Sequence, residues 1–274
     1  MLADARAALG GEEKLSAIKS FTTTGRTRRV QGQNLVPIEF EILVELPDKY
    51  LRKDEIPAQE SDPTTTGFNG DALLQIPAPE PPAPRPGMPA PPPGMFENML
   101  KTRALTARQD FARLMLGMFA ASFEAYPLKF RYIGQAEAPQ GKAHVLEGTG
   151  DPNFRLRLFV HTETHLPIMV SWTAPAGPMP TGRGAPGAPS NPGAAAPPVA
   201  TSASDPPSAG ARATADTAPP APEHRLYFAD YRDVDGIKLP FRLRRGIGVN
   251  TTEETTFDRF RLNANIDPRR FEVR

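Results

Sequence analysis

Between Ile38 and Leu46, the apolar residues Ile38, Phe40, Ile42, Val44 and Leu46 alternate with Glu39, Glu41 and Glu45. Successive side chains of a strand point to opposite faces, so this segment has one apolar side and one acidic side. A sheet built from it must keep one face in water. The same pattern returns at Phe154, Leu156, Leu158 and Val160, which alternate with Arg155 and Arg157. Two remote segments thus impose the same requirement: something apolar must cover one side of the sheet.

The rest of the chain reads as further strands and a few helices. Leu226–Val234 and Ile237–Leu243 flank Asp235-Gly236, whose residues accept the positive φ of a tight hairpin turn. Gly67–Gln75 is a second hairpin around Asn69-Gly70. Phe21–Val30 is Thr-rich and β-prone, Gly32–Asn34 turns the chain, and Lys49–Glu55 returns after Pro47-Asp48. Strands are also expected at 129–137, 142–148, 154–160, 166–173 and 253–262. Residues 3–18 read as a helix broken by Gly10-Gly11 and resumed. Glu97–Phe123 has the length and spacing of a long helix, ended before Pro127. Its stretch Leu114–Ala121 is apolar all round, so it is buried on more than one side or covers something greasy.

Two-thirds of the 33 Pro fall in two stretches, 77–95 and 174–222, whose Pro/Ala/Gly composition cannot build a core. The second is expected to be a disordered insertion, since structureless loops of that length are uncommon inside compact domains. About 200 residues remain, ample for one core. Lys/Arg and Asp/Glu are interspersed, with a formal net charge of +1, so the basic footprint of a nucleic-acid binder is missing. With no Cys, there is neither a disulfide nor a thiol nucleophile. No apolar run reaches the ~20 residues of a membrane-spanning helix, and residues 1–20 lack the basic and apolar regions of an export signal.

Few motifs carry chemistry. His161 and His165 stand four apart with Glu163 between them, which on a helix would place two metal ligands on one face. Here the neighbours are strands, so the spacing falls on a turn and the side chains need not converge. There is no nucleophile elbow, no Gly-rich phosphate loop and no recognisable carboxylate pair. The expectation is a non-enzymatic protein without cofactor or metal. The helix bearing Met115, Leu116, Met118 and Phe119 has two readings. These side chains fill a core, or they line an adaptable cavity in which the unbranched thioethers repack around varied ligands.

The closing hairpin, the polar strand 253–262 and the ending Leu262-Asn263-Ala264-Asn265-Ile266-Asp267-Pro268-Arg269-Arg270-Phe271 together resemble the end of LolA-like proteins, the superfamily of periplasmic lipoprotein carriers. The opening Ala8–Ser20 and the hairpin before the long helix are similar to that family too. The resemblance implies one α+β domain over residues 1–274. It would be a curved, antiparallel, incompletely closed β-barrel of about eleven strands with helices on its concave face, interrupted by the two Pro-rich insertions. It implies a periplasmic or cell-envelope monomer that carries lipoprotein acyl chains or other lipids, with an envelope protein as a further partner. The groove residues expected by alternation are Phe40, Ile42, Val44, Leu156, Leu158, Val160 and Trp172, joined by Met115, Met118 and Phe119 from the helix. A sensor or accessory module reading a partner peptide or lipid in the same groove is the alternative. A periplasmic setting would require an export signal beyond what residues 1–20 supply.

Overall fold

The computed structural model describes residues 1–59, 61–81, 92–151, 154–173 and 221–272. Residues 82–91 of the first Pro-rich stretch and 174–220 of the second lie outside the described residues. Every helix and strand belongs to one compact unit formed by Met1–Thr173 and Glu223–Arg274.

The chain opens with α1 (Leu2–Leu9) and α2 (Glu12–Ser16), followed by β1 (Ser20–Gln31), β2 (Asn34–Glu45), β3 (Lys49–Glu55), β4 (Thr64–Asn69) and β5 (Ala72–Ile76). The long helix α3 (Met95–Phe119) leads to β6 (Lys129–Ala138), β7 (Gly141–Gly150), β8 (Phe154–His161) and β9 (Pro167–Thr173). Then come β10 (Glu223–Val234), β11 (Ile237–Ile247) and β12 (Asn250–Leu262), and a 3-10 turn at Pro268–Phe271. The strands form one antiparallel sheet in the order β5-β4-β3-β2-β1-β12-β11-β10-β9-β8-β7-β6. The fold class is as expected, with twelve strands rather than about eleven.

This order makes β5 and β6 the two edges of the sheet, and α3 is the segment that joins them. A connection from one edge to the other has to cross a face of the sheet. The apolar concave face supplies the reason for crossing there. α3 touches β4 and β5 near one edge and β9 and β11 beyond the middle, so the sheet curls around the helix.

The alternation seen in the sequence decides which side is covered. Ile38, Phe40, Ile42 and Val44 of β2 are buried, as are Phe154, Leu156, Leu158 and Val160 of β8, whereas Glu39, Arg155 and Arg157 are exposed. Asp235 (φ 54°) and Gly236 (φ 80°) form the tight turn between β10 and β11, and α1 leans on it.

Helix α3 begins two residues before the expected Glu97 and stops at Phe119, four residues before the expected Phe123. Ala120 adopts a left-handed conformation (φ 46°) and donates its N–H to the Leu116 carbonyl, which closes the helix well ahead of Pro127. Other groups satisfy further carbonyls of the last turns. Tyr231 Oη lies 2.8 Å from the oxygens of both Gly117 and Pro167, and Arg6 Nη1 donates to Phe119 O at 3.0 Å.

The outer face is not uniformly wet. Leu43 and Leu51 share the parity of the outward Glu41 and Lys53, yet both are buried with Leu74, Ile266 and Phe271. The polypeptide after β12 folds back over them. Ser20 Oγ donates to Ala264 O at 2.6 Å, Asn69 Nδ2 donates to Phe271 O at 3.1 Å, and Asp267 caps the 3-10 turn through the Arg269 N–H. A second outer cluster joins Ala143, Val145, Phe159, Met169 and Tyr227.

Candidate functional site

Helix α3 meets the sheet in two different ways along its length. Its last two turns are buried on all sides, with Met115, Leu116 and Met118 fully enclosed and Phe119 packed on Phe21 and Phe123. Gly117 permits this close seating, because a Cβ there would stand 1.9 Å from a ring carbon of Phe228. One turn earlier, Phe111 fits between Tyr50, Phe68 and Phe123, with centroid distances of 5.7, 5.4 and 6.0 Å. Toward the start of the helix the inward residues shrink to Ala107 and Ala104, and helix and sheet no longer fill the space between them.

There the structure holds a cavity of about 270 Å³. Ile42, Tyr50, Ala107, Leu114, Leu226, Leu243 and Phe257 form its apolar walls. Arg29, Arg52, Asp54, Asp110, Arg245, Glu253, Thr66 and Thr255 supply its polar side. These elements converge because β1, β12 and β11 are adjacent and in register, with Arg29 opposite Glu253 and Glu253 opposite Arg245.

The charges form a chain of pairs. Arg29 Nε donates to Glu253 at 2.6 Å, Arg245 stands 3.8 Å from Glu253 and 3.6 Å from Asp110, and Asp110 accepts from Arg113 Nη1 at 2.8 Å. Arg52 donates to Asp54 at 2.7 Å and to Thr27 Oγ1 at 3.2 Å, and stacks 4.7 Å from the Phe40 ring centre. Burial works most strongly against the Arg52 charge, but Asp54, Tyr50 and Glu253 together outweigh it and raise the guanidinium pKa. Burial also pushes the Tyr50 phenol up to about 12, so it stays protonated at the cavity wall. Asp110 and Arg113 of this chain are carried on α3, and Asp110–Arg245 ties the helix to the sheet at the cavity.

Arg113 is the least expected residue here, since it is 5% exposed within an apolar interface. Its guanidinium lies 4.2 Å from the Trp172 ring centre and 4.7 Å from that of Phe154, and its Nε has no hydrogen-bond partner. Burial lowers its pKa, with Asp110 opposing. His224 stacks on the same Trp172 ring, with centroids 5.4 Å apart, and burial followed by the Arg245 and Arg113 charges lowers its pKa. His224 is therefore neutral at neutral pH.

The ten residues expected from alternation are placed as follows. Ile42 lines the cavity. Trp172 and Leu156 border a separate groove of about 480 Å³ with Arg155, Arg157 and Glu223, and Trp172 also faces Arg113. Phe119 borders a third, apolar groove with Leu2, Ile18, Phe123 and Phe130. Phe40, Val44, Met115, Met118, Leu158 and Val160 are buried and do not line the cavity. Sequence reasoning did not find Tyr50, Leu114, Leu226, Leu243, Phe257 or any charged member. The signal for Arg52 and Asp54 was present, because both share the parity of Tyr50. His161 serves its turn instead: Nδ1 accepts from the backbone N–H groups of Glu163 and Thr164, both at 3.2 Å.

Comparison with known proteins adds the fold. No protein-family model matches the chain. No curated protein matches it either. Among solved structures it is similar to a LolA superfamily protein from Nitrosomonas europaea, at 12% identity and a TM-score of 0.50, covering 98% of this chain and 97% of that one. A DUF1329 family protein from Desulfovibrio piger matches at 10% identity and a TM-score of 0.47, covering 99% of this chain and 95% of that one. A domain from Vibrio parahaemolyticus named for outer membrane lipoprotein sorting matches at 9% identity and a TM-score of 0.48, covering 98% and 94% respectively. This chain, an open sheet of twelve antiparallel strands among the described residues with a helix joining its two edges, has a LolA-like fold.

Proposed function

We propose that the protein is a non-enzymatic periplasmic carrier or binder of acyl chains, from lipoproteins or other lipids, held between α3 and the concave face of the sheet. The observation that supports this reading is the cavity under the Ala104–Leu114 part of α3. Seven apolar side chains wall it, and the ion pairs lie along its polar side. Its volume of about 270 Å³ falls short of the roughly 300–1,000 Å³ typical of sites for drug-sized ligands. A long acyl chain therefore enters only if α3 lifts.

The magnitudes favour that motion. Each methylene taken out of water is worth about 0.8 kcal/mol, so about twelve methylenes supply roughly 10 kcal/mol. Against this stand the small buried side chains Ala104 and Ala107 and two partly exposed ion pairs in the middle of α3. Asp110–Arg245 and the Arg108–Asp71 pair at 2.8 Å are solvent-reached, and exposed pairs are worth about 0–1 kcal/mol each. The aromatic and Gly117 contacts of the second half hold that end in place, so the helix pivots rather than leaves.

The test is a fluorescent fatty-acid titration of the folded protein, with native mass spectrometry of protein purified from cells to detect co-purified lipid. Wild type binds the probe, and Leu114→Glu, which places a carboxylate against the apolar wall, loses it while far-ultraviolet circular dichroism confirms folding. A folded wild type that neither binds probe nor carries lipid refutes the reading.

A further inference from the structure

The sequence contains the pattern Arg-x-Arg-Arg twice, at Arg26-Thr27-Arg28-Arg29 and Arg242-Leu243-Arg244-Arg245, and each copy runs directly into an uncharged hairpin tip. From Val30 to Ile38 there is no charged residue, and none from Gly246 to Thr252, in a chain that is 23% charged. The fold brings the two tips together. β12 lies between β1 and β11, Arg29 is opposite Glu253, and Gly246 is opposite Thr251, so the β1–β2 and β11–β12 turns project side by side from one end of the sheet.

These tips expose aliphatic side chains. Val30 and Leu35 form a cross-strand pair, 44% and 64% exposed, while Ile247 is 36% and Val249, at the turn itself, 97% exposed. Behind them stand the six arginines of the two repeats against Glu39, Glu253, Glu254 and the Asp110 that faces Arg245, a local charge of +2 where the whole chain carries +1. Some of the positive charge is engaged: Arg29 and Arg245 meet Glu253, Arg26 meets Glu39 at 3.6 Å, and Arg242 meets Glu254 at 3.7 Å. Arg244 lies over the Tyr227 ring, on the outer face.

We infer that the twin hairpin tips are a docking surface for a phospholipid bilayer carrying anionic lipids. A protein partner would need a broad, complementary face. Two narrow protruding turns offer little area but suit a lipid interface, which closes around small aliphatic wedges while flanking guanidinium groups meet the phosphates. Arg29, Arg245 and Glu253 also border the polar side of the cavity, but the exposed tip residues and Arg28 and Arg244 do not line it.

The experiment is co-flotation of the full chain with vesicles of phosphatidylcholine alone and of phosphatidylcholine mixed with phosphatidylglycerol. Wild type floats with the mixed vesicles at low salt and is released as salt rises. The L35S/V249S variant lowers vesicle partitioning about tenfold or more, and R28Q/R244Q lowers it by about fivefold per arginine on mixed vesicles only. Both variants keep the wild-type unfolding midpoint, because all four side chains are exposed. Fatty-acid probe uptake stays at the wild-type level in both. Absence of wild-type binding to mixed vesicles at low salt overturns the inference, as does unchanged binding by L35S/V249S. Joint loss of vesicle binding and probe uptake in L35S/V249S would make the tips part of the cavity entrance and equally overturn a separate docking surface.

Discussion

Gly117→Ala tests how α3 is seated, because two known effects oppose each other there. Replacing an interior helical Gly with Ala ordinarily stabilises a helix by about 1 kcal/mol. Here the new methyl would lie 1.9, 2.2 and 2.2 Å from three carbons of the Phe228 ring, against the roughly 3.5–4.0 Å of an ordinary carbon–carbon contact. Helix and ring must separate by about 1.5 Å. Phe228 is 1% exposed and cannot swing into solvent. Moving the helix instead strains the 2.8 Å bond from Tyr231 Oη to Gly117 O. Overpacking of this kind costs about 1–3 kcal/mol, and the hydrogen bond adds about 1 kcal/mol, so the expected net destabilisation is about 1–3 kcal/mol. Urea unfolding followed by tryptophan fluorescence should show a lower midpoint with an unchanged slope. The double variant G117A/F228L, which removes ring atoms at the point of contact, should recover most of the loss. Stabilisation by about 1 kcal/mol would mean that helix propensity prevails, and that α3 does not rest on Phe228 as described.

Four further variants test other contacts of the fold. Arg113→Met should leave stability within about 1 kcal/mol of wild type or raise it, because a buried charge is exchanged for an apolar side chain. Asp110→Ala, which strips the Arg113 guanidinium of its carboxylate, should cost about 2–3 kcal/mol in the same urea assay; the reverse order would refute a cost to burying that charge. The Arg6 hydrogen bonds, with Ser16 Oγ adding another, lower the Glu12 carboxyl to about 2. Because the folded value lies below the unfolded one near 4.5, this stability is present above pH 4.5 and is lost as pH falls toward about 2. Thermal melts of Glu12→Gln should be flatter than wild type across that window. Phe271→Ala should cost about 3–5 kcal/mol by opening a cavity against Leu43, Leu51 and Leu74, yet leave fatty-acid probe affinity unchanged, because that cluster lies on the outer face.

Local rules carried much of the architecture. The alternation at Ile38–Leu46 and Phe154–Val160, the Asp235-Gly236 turn and the all-apolar Leu114–Ala121 stretch are each decided within a few residues, so the sequence alone determined a one-sided antiparallel sheet with a helix to cover it. Parity also placed Ile42 in the cavity wall. Phe40, Val44, Leu158 and Val160 are buried, but a buried face is not a cavity. Whether an inward side chain is packed or borders empty space depends on the size of the residue opposite. That residue is Met118 or Phe119 at one end of α3 and Ala107 at the other. Leu43 and Leu51 obey the alternation that should expose them, and are buried only because a tail more than 200 positions away in sequence folds over them. The charged side of the cavity is of the same kind. Arg29, Arg245 and Glu253 come together through strand register, and Asp110 reaches them because α3 has to span the two edges of the sheet. Such pairings between remote segments depend on how the sheet closes, and only the tertiary structure decided them.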